Sequence, residues 1–272
     1  MNMQQESCPK ISIVTPSFNQ GAFIEETIVS VLNQQYANFE HIVIDGGSTD
    51  QTLDILRKYP HLRWVSEPDR GQSDALNKGF QRATGHIIGW LNSDDYYLPQ
   101  CFQNIAEKFL TDPTTDVLHG NYRWIDKDGK LLQRRRELHF DMFMLKYLHM
   151  LYIPTTATFF HHRIFAEANF LDIEYGYAMD YEFFLRLAMK GYRFAHVDAF
   201  LADFRWHSQS KTESASHKQL AEQNKALFEY DPLLRTLPPV VRGSAKTLLT
   251  GVARTKRVVL KAMKGYYRDQ WV

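Results

Sequence analysis

The chain has 272 residues, of which 44% are hydrophobic, 23% charged and 14% aromatic; this excludes a disordered or fibrous chain and supplies one large or two small globular cores. Lys and Arg number 32 against 31 Asp and Glu, so the formal net charge of +1 gives no whole-chain reason to expect nucleic-acid binding. Two cysteines exclude a disulfide framework, the first residues lack the basic and apolar regions of a signal peptide, and no apolar run approaches the roughly 18 residues that cross a bilayer. The expected setting is cytoplasmic, with membrane contact at most peripheral.

Taken in chain order, the first half alternates two periodicities. A β-branched run at 11–15, closed by Pro16, precedes a helical pattern at 22–35 with Ile24, Ile28, Val31 and Leu32 on one face. The pattern recurs as a strand at 39–45 and a helix at 51–59, then a strand at 62–66 and a helix at 73–83. A fourth strand, 86–92, runs into Ser93, Asp94 and Asp95 before a helix opened by Pro99. Four such units with short connections predict right-handed crossovers and a parallel sheet covered on both faces. Sheets of this kind bind ligands beyond the carboxyl ends of their strands.

Beyond residue 112 the rhythm loosens. Strands are expected at 117–125 and 156–160, with a hairpin signal at Asp128-Gly129 and a basic run, Arg134 to Arg136, expected to face water. The pair His161-His162 suggests a sheet edge. Residues 180–189 read as a helix stopped by Gly191, followed by two strands at 192–197 and 200–206. Pro238-Pro239 marks a linker to a distinct segment.

Carboxylates gather where ligands are expected. Asp45 ends the second strand and Asp94-Asp95 follow the fourth, so the sheet rim carries oxygen ligands suited to a hard divalent cation that keeps positions for substrate phosphates. Strand-to-helix turns also favour Asp as a cap, so each residue taken singly has a structural reading too.

Several spaced blocks then coincide: Ile11-Ser-Ile-Val-Thr-Pro-Ser-Phe-Asn19, Val43-Ile-Asp-Gly-Gly-Ser-Thr-Asp50, Asn77-Lys-Gly79, Ala83-Thr-Gly85, Leu91-Asn-Ser-Asp-Asp95 and Asp180-Tyr-Glu-Phe-Phe-Leu-Arg186. In this order over about residues 10 to 207, they make the chain resemble family 2 glycosyltransferases of the GT-A fold, most of all bacterial enzymes that build O-antigen and other surface polysaccharides. The resemblance implies an α/β fold with a Rossmann-like, mostly parallel sheet, and inverting transfer from a nucleotide-sugar donor, expected to be a UDP-sugar. It implies that Thr15, Pro16, Asn19, Asp74, Asn92 and Ser93 line the nucleotide, and that Asp45 accepts a hydrogen bond from the base. It places Mg²⁺ or Mn²⁺ on Asp94, supported by Asp95 and His207, and assigns the general base to Asp180, with Glu182 as the alternative. The expected acceptor is a glycan, free or linked to a polyprenyl diphosphate. Three positions depart from the family pattern: Asn92 opens the Asp-x-Asp motif, Leu76 stands where Arg is frequent, and Gly46 replaces a second Asp. Two rival readings remain open here. One is a sugar-nucleotide pyrophosphorylase, although the loop 17–21 has no basic residue. The other is a non-catalytic relative that binds glycan or membrane.

The expected organisation is a nucleotide-sugar half over 1–125, an acceptor half over 126–231 and a basic helical segment over 232–272. That last segment holds nine Lys or Arg against one acid, Asp269, a formal +8; the residues before it hold 23 basic and 30 acidic, a formal −7. On helical spacing Val241, Ala245, Leu248, Val252, Val259, Met263 and Tyr266 form one stripe, and Lys246, Arg254, Arg257, Lys261, Lys264 and Arg268 another. Such a helix suits peripheral contact with an anionic membrane, or else packs its apolar stripe on the domain and leaves its cations in water.

Overall fold

The computed structural model describes residues 8–148, 151–207, 216–268 and 270–271. Asp269 lies outside the described residues. The first half follows the expected alternation: β1 (Ile11–Ser17), α1 (Ile24–Leu32), β2 (Phe39–Asp45), α2 (Thr52–Arg57), β3 (Leu62–Ser66), α3 (Gln72–Arg82) and β4 (Ile87–Trp90). β1 pairs in parallel with both β2 and β4, and β2 in parallel with β3. Gly79 lets α3 lie close on this sheet, because a Cβ there would sit 2.2 Å from Val14 Cγ1.

The second half completes the same sheet. After the two-residue β5 (Tyr96–Tyr97) and α4 (Cys101–Thr111) come β6 (Val117–Ile125), β7 (Leu131–Arg135), α5 (Met142–Tyr147), β8 (Thr158–His161), α6 (Arg163–Ala166), α7 (Met179–Met189) and β9 (Phe194–Arg205). The strand order is β3-β2-β1-β4-β8-β6-β9-β5, with β7 on β6. β8 is antiparallel to both β4 and β6, so the sheet is mixed beyond β4. Because one sheet crosses residue 125, the two expected halves share a single framework.

Two local expectations are corrected. β8 is interior rather than an edge, since Phe159 and Phe160 are fully buried and each side of the strand has a partner. The two strands expected around residue 198 are one strand, β9. Its bend is absorbed as a register shift against β6, with the Asp198 carboxylate accepting from the Asn121 amide at 2.7 Å. The core layers Phe160, Phe165, Phe183 and Phe184 between this sheet and α7.

Among the described residues three helices follow: α8 (Ser216–Tyr230), α9 (Pro232–Thr236) and α10 (Pro239–Met263). α10 does not stand off as a separate segment. Its buried Ala253, with Ala245, Leu249 and Leu260, packs on the core cluster that includes Met144 and Leu145 of α5.

Candidate active site

A cleft of about 370 Å³ opens at the carboxyl ends of β1, β4 and β9. Its walls come from the turn after β1 (Pro16, Ser17, Phe18, Gln20), the start of α3 (Asp69, Gly71, Gln72, Ala75) and the end of β4 (Trp90, Asn92, Ser93, Asp94). Opposite stand Thr155, the start of α7 (Gly176, Tyr177, Met179, Asp180), Phe204 and His207 at the end of β9, and Gln219 of α8. Gly71 caps α3 at φ 106°, a left-handed conformation that a residue with a Cβ resists.

Asp94 and His207 meet inside this cleft, with His207 Nε2 3.0 Å from Asp94 Oδ2. Arg205 holds that geometry: its Nε donates to the Asp94 carbonyl at 2.9 Å, and its guanidinium lies 5.1 Å from the Phe23 ring, which in turn packs 4.9 Å from the His207 ring. The described lining carries the carboxylates of Asp69, Asp94 and Asp180 and no Lys or Arg. A diphosphate entering such a cleft would meet negative charge on its described walls. One carboxylate and one imidazole suit Mg²⁺ or Mn²⁺, which keep open positions for phosphate oxygens, whereas no cluster of three or more His, Cys, Asp or Glu for an all-protein cage occurs among the described residues.

Asp180 sits in the first turn of α7, partly buried, with Oδ1 accepting from the Tyr181 amide at 2.7 Å. Burial pushes its carboxyl up from 3.8 to about 6, and the nearby Glu222 charge pushes the same way. That value suits a general base near neutral pH. Glu182, one residue beyond Tyr181, is fully buried and engaged by Arg186 at 2.6 Å and by the Tyr230 hydroxyl at 2.9 Å. It does not line the cleft.

Of the residues expected at the site, Pro16, Asn92, Ser93, Asp94, Asp180 and His207 line one cleft, and five others stand behind it. Asp45 is fully buried; instead of facing a base, its carboxylate accepts from the amides of Gly47 and Ser48 and the hydroxyls of Ser48 and Ser66. Asp95 is likewise turned inward, bound by Thr156 Oγ1 at 2.5 Å, the Arg205 amide at 2.9 Å and Asn92 Nδ2 at 3.2 Å. Burial and the adjacent Asp94 raise its pKa well above the usual carboxylate range, so it serves to fasten β9 to the Asp94 loop. Thr15 bonds to buried His41 at 2.9 Å. Asn19, at φ 52°, ties the β1 turn to the β2 turn through Ser48 and Thr49. Asp74 accepts from the Arg70 amide at 3.1 Å and pairs with Lys78.

Asp69 went unrecognised in the sequence, although it follows β3 by three residues at the rim where ligands gather. Gly46 makes room for it: a Cβ there would approach Asp69 Oδ2 to 2.6 Å. An Asp at 46, as the common family pattern has, would set two carboxylates against each other.

Residues 12–170 match the family model described as glycosyl transferase family 2. Hyaluronan synthase of Pasteurella multocida is 29% identical over 230 residues, 81% of this chain and 22% of that protein. An uncharacterised glycosyltransferase of Mycobacterium tuberculosis is 33% identical over 188 residues, 67% of this chain and 70% of that one. The chain thus spans about a fifth of the length of the polysaccharide synthases it resembles. In fold it resembles S. aureus TarS in complex with UDP-GlcNAc, at TM-score 0.60 and 20% identity over 86% of this chain and 77% of that one. It also resembles the Pyrobaculum calidifontis mannosyltransferase in complex with GDP-Man and Mn²⁺, at TM-score 0.62 and 19% identity over 94% and 76%. The parallel β3-β2-β1-β4 frame, the carboxylate cleft at its rim and the match over more than half of the sequence converge: this chain belongs to glycosyl transferase family 2 and has the GT-A fold.

Proposed function

We propose that the chain is an inverting, metal-dependent glycosyltransferase that moves a sugar from a nucleoside diphosphate donor, a UDP-sugar, to a glycan or lipid-linked acceptor in surface polysaccharide synthesis. The observation that carries the reading is the placement of Asp94 with His207 and of Asp180 in one cleft without a Lys or Arg among its described lining residues. Asp94 and His207 would hold Mg²⁺ or Mn²⁺, which supplies the positive charge that a departing diphosphate needs. Phe18 and Asp69, at the β1 and β3 end, are placed for the base, the exposed ring for stacking and the carboxylate for accepting a base N–H. Asp180 takes the proton of the acceptor hydroxyl as its oxygen bonds the anomeric carbon and the bond to the diphosphate breaks. A single displacement from the opposite face inverts the anomeric configuration. Tyr177 and Phe204 flank the acceptor side.

A pyrophosphorylase reading is disfavoured by the same lining. Bringing a nucleoside triphosphate and a sugar phosphate together against described walls that carry carboxylates and no Lys or Arg stacks like charge on like charge. The non-catalytic reading leaves a partly buried carboxylate poised at about 6 without a use.

The test is thermal stabilisation of the full chain by UDP and by GDP, with and without Mn²⁺. A rise in melting temperature that needs both nucleotide and metal, and that Asp94→Ala removes, is the expected result. No shift with either nucleotide would sink the donor site. The donor sugar is then identified by hydrolysis of a nucleotide-sugar panel.

A further inference from the structure

α10 packs with the opposite polarity to that expected of a basic amphipathic helix. Arg257 donates to both oxygens of the fully buried Glu137 at 2.9 and 2.8 Å, Lys261 Nζ lies 2.9 Å from the same carboxylate, and Lys256 pairs with Asp141. A buried carboxylate must be paired, so these cations are turned inward. Their inward rotation carries most of the apolar stripe outward, Ala245 and Tyr266 staying against the core. Leu248 is 71% exposed and Met263 80%, with Val241, Val252 and Val259 also open to water. On helical geometry Ser244 and Thr255 lie beside them on the same face, and no charge interrupts it.

We propose that this uncharged outer face of α10 seats the protein on an anionic bilayer. The inference rests on the reading of an acceptor delivered at a membrane and names the surface that meets it. Charge selects the occupant. The exposed Arg254 borders the face, the exposed Lys264 and Arg268 lie just past its C-terminal end, and residues 239–263 contain no Asp or Glu. A second copy docking through the same face would oppose cation to cation, whereas phospholipid headgroups supply the missing negative charge. Basic residues pinned on Glu137 act as the helix's anchor to the domain, and only the bordering ones read the membrane.

Co-sedimentation of the full chain with phosphatidylcholine vesicles, with and without phosphatidylglycerol, tests this. Stronger binding to the phosphatidylglycerol vesicles is expected. Leu248→Ser combined with Val252→Ser and Met263→Ser should weaken it about tenfold or more while leaving the melting temperature and its shift by UDP with Mn²⁺ unchanged. The companion variant Arg257→Gln with Lys261→Gln separates the two polarities. Loss of vesicle binding in that variant, with retention in the triple-serine variant, would mean that lipid meets the basic face and would overturn the proposal. So would a dimer in light scattering that the triple change dissolves. Absent vesicle binding with nucleotide stabilisation intact sinks this inference alone, while the reverse pattern sinks the donor assignment.

Discussion

Asp180 shows how burial sets both chemistry and cost. An Asp held at about 6 in the folded chain and 3.8 otherwise binds its proton more tightly when folded, so stability falls as pH rises between these values. The penalty is complete above about 6, where the carboxylate is also competent as a base. Asp180→Asn should therefore lower kcat about 10²–10⁴-fold while raising stability at pH 7 by about 1–2 kcal/mol, read by steady-state kinetics and urea unfolding. A variant that loses activity together with stability would point to a structural role instead. In the parent protein kcat should fall on the acid side of pH 6, as the base becomes protonated. Asp94 and Asp95, adjacent in sequence, divide differently: one faces the cleft with His207, the other is spent on Thr156, Arg205 and Asn92. Asp94→Asn is expected to weaken the Mn²⁺-dependent stabilisation by nucleotide, and Asp95→Asn to destabilise the fold.

At the scale of elements, the position of Asp180 depends on α8. Glu222 accepts from the amides of Gly176, Tyr177 and Ala178 at 3.1, 2.7 and 2.8 Å, satisfying N–H groups that the start of α7 leaves unpaired. Negative charge at a helix N-terminus is favourable in its own right. Burial does most to hold the Asp180 carboxyl up and the same charge adds to it, so Glu222→Gln should move the acid limb of the kcat profile slightly to lower pH and leave KM for the donor nearly unchanged. An unmoved limb would restrict Glu222 to capping. The partners lie 44 to 46 residues apart in the chain, and no local pattern announces them.

Over the whole molecule the neutral formal charge separates into an acidic body and a basic C-terminal segment. Part of that separation is internal, because Arg257 and Lys261, two of the nine basic residues of the segment, pair with Glu137, and desolvation draws Lys261 down to about 8. Above pH 8 the lysine gives up its proton and Glu137 relies on Arg257 alone. Arg257→Ala should cost roughly 3 kcal/mol in urea unfolding, the penalty for stripping a buried carboxylate of its bidentate partner, and Glu137→Gln should restore part of that loss. Independent, additive effects of the two changes would deny the coupling. Among the described residues no helix is long and apolar enough to cross a membrane.

Sequence alone determined the local and the covalently adjacent. Period-two and period-3.6 patterns fixed the β1 to β4 units because each buries its own stripe against the same sheet, and the motif blocks identified the family. Strand order beyond β4 was not legible, since β8 is paired on both sides by strands far from it in the chain. Periodicity showed that α10 has an apolar and a basic stripe. Which one faces the domain was decided by Glu137, a carboxylate more than a hundred residues away that becomes buried only when the sheet forms. Likewise the strand ends placed Asp45, Asp94 and Asp95 near one rim and the family resemblance added Asp180, but only tertiary packing determined which had spent their lone pairs on neighbouring N–H and O–H groups. Those that had not face the cleft.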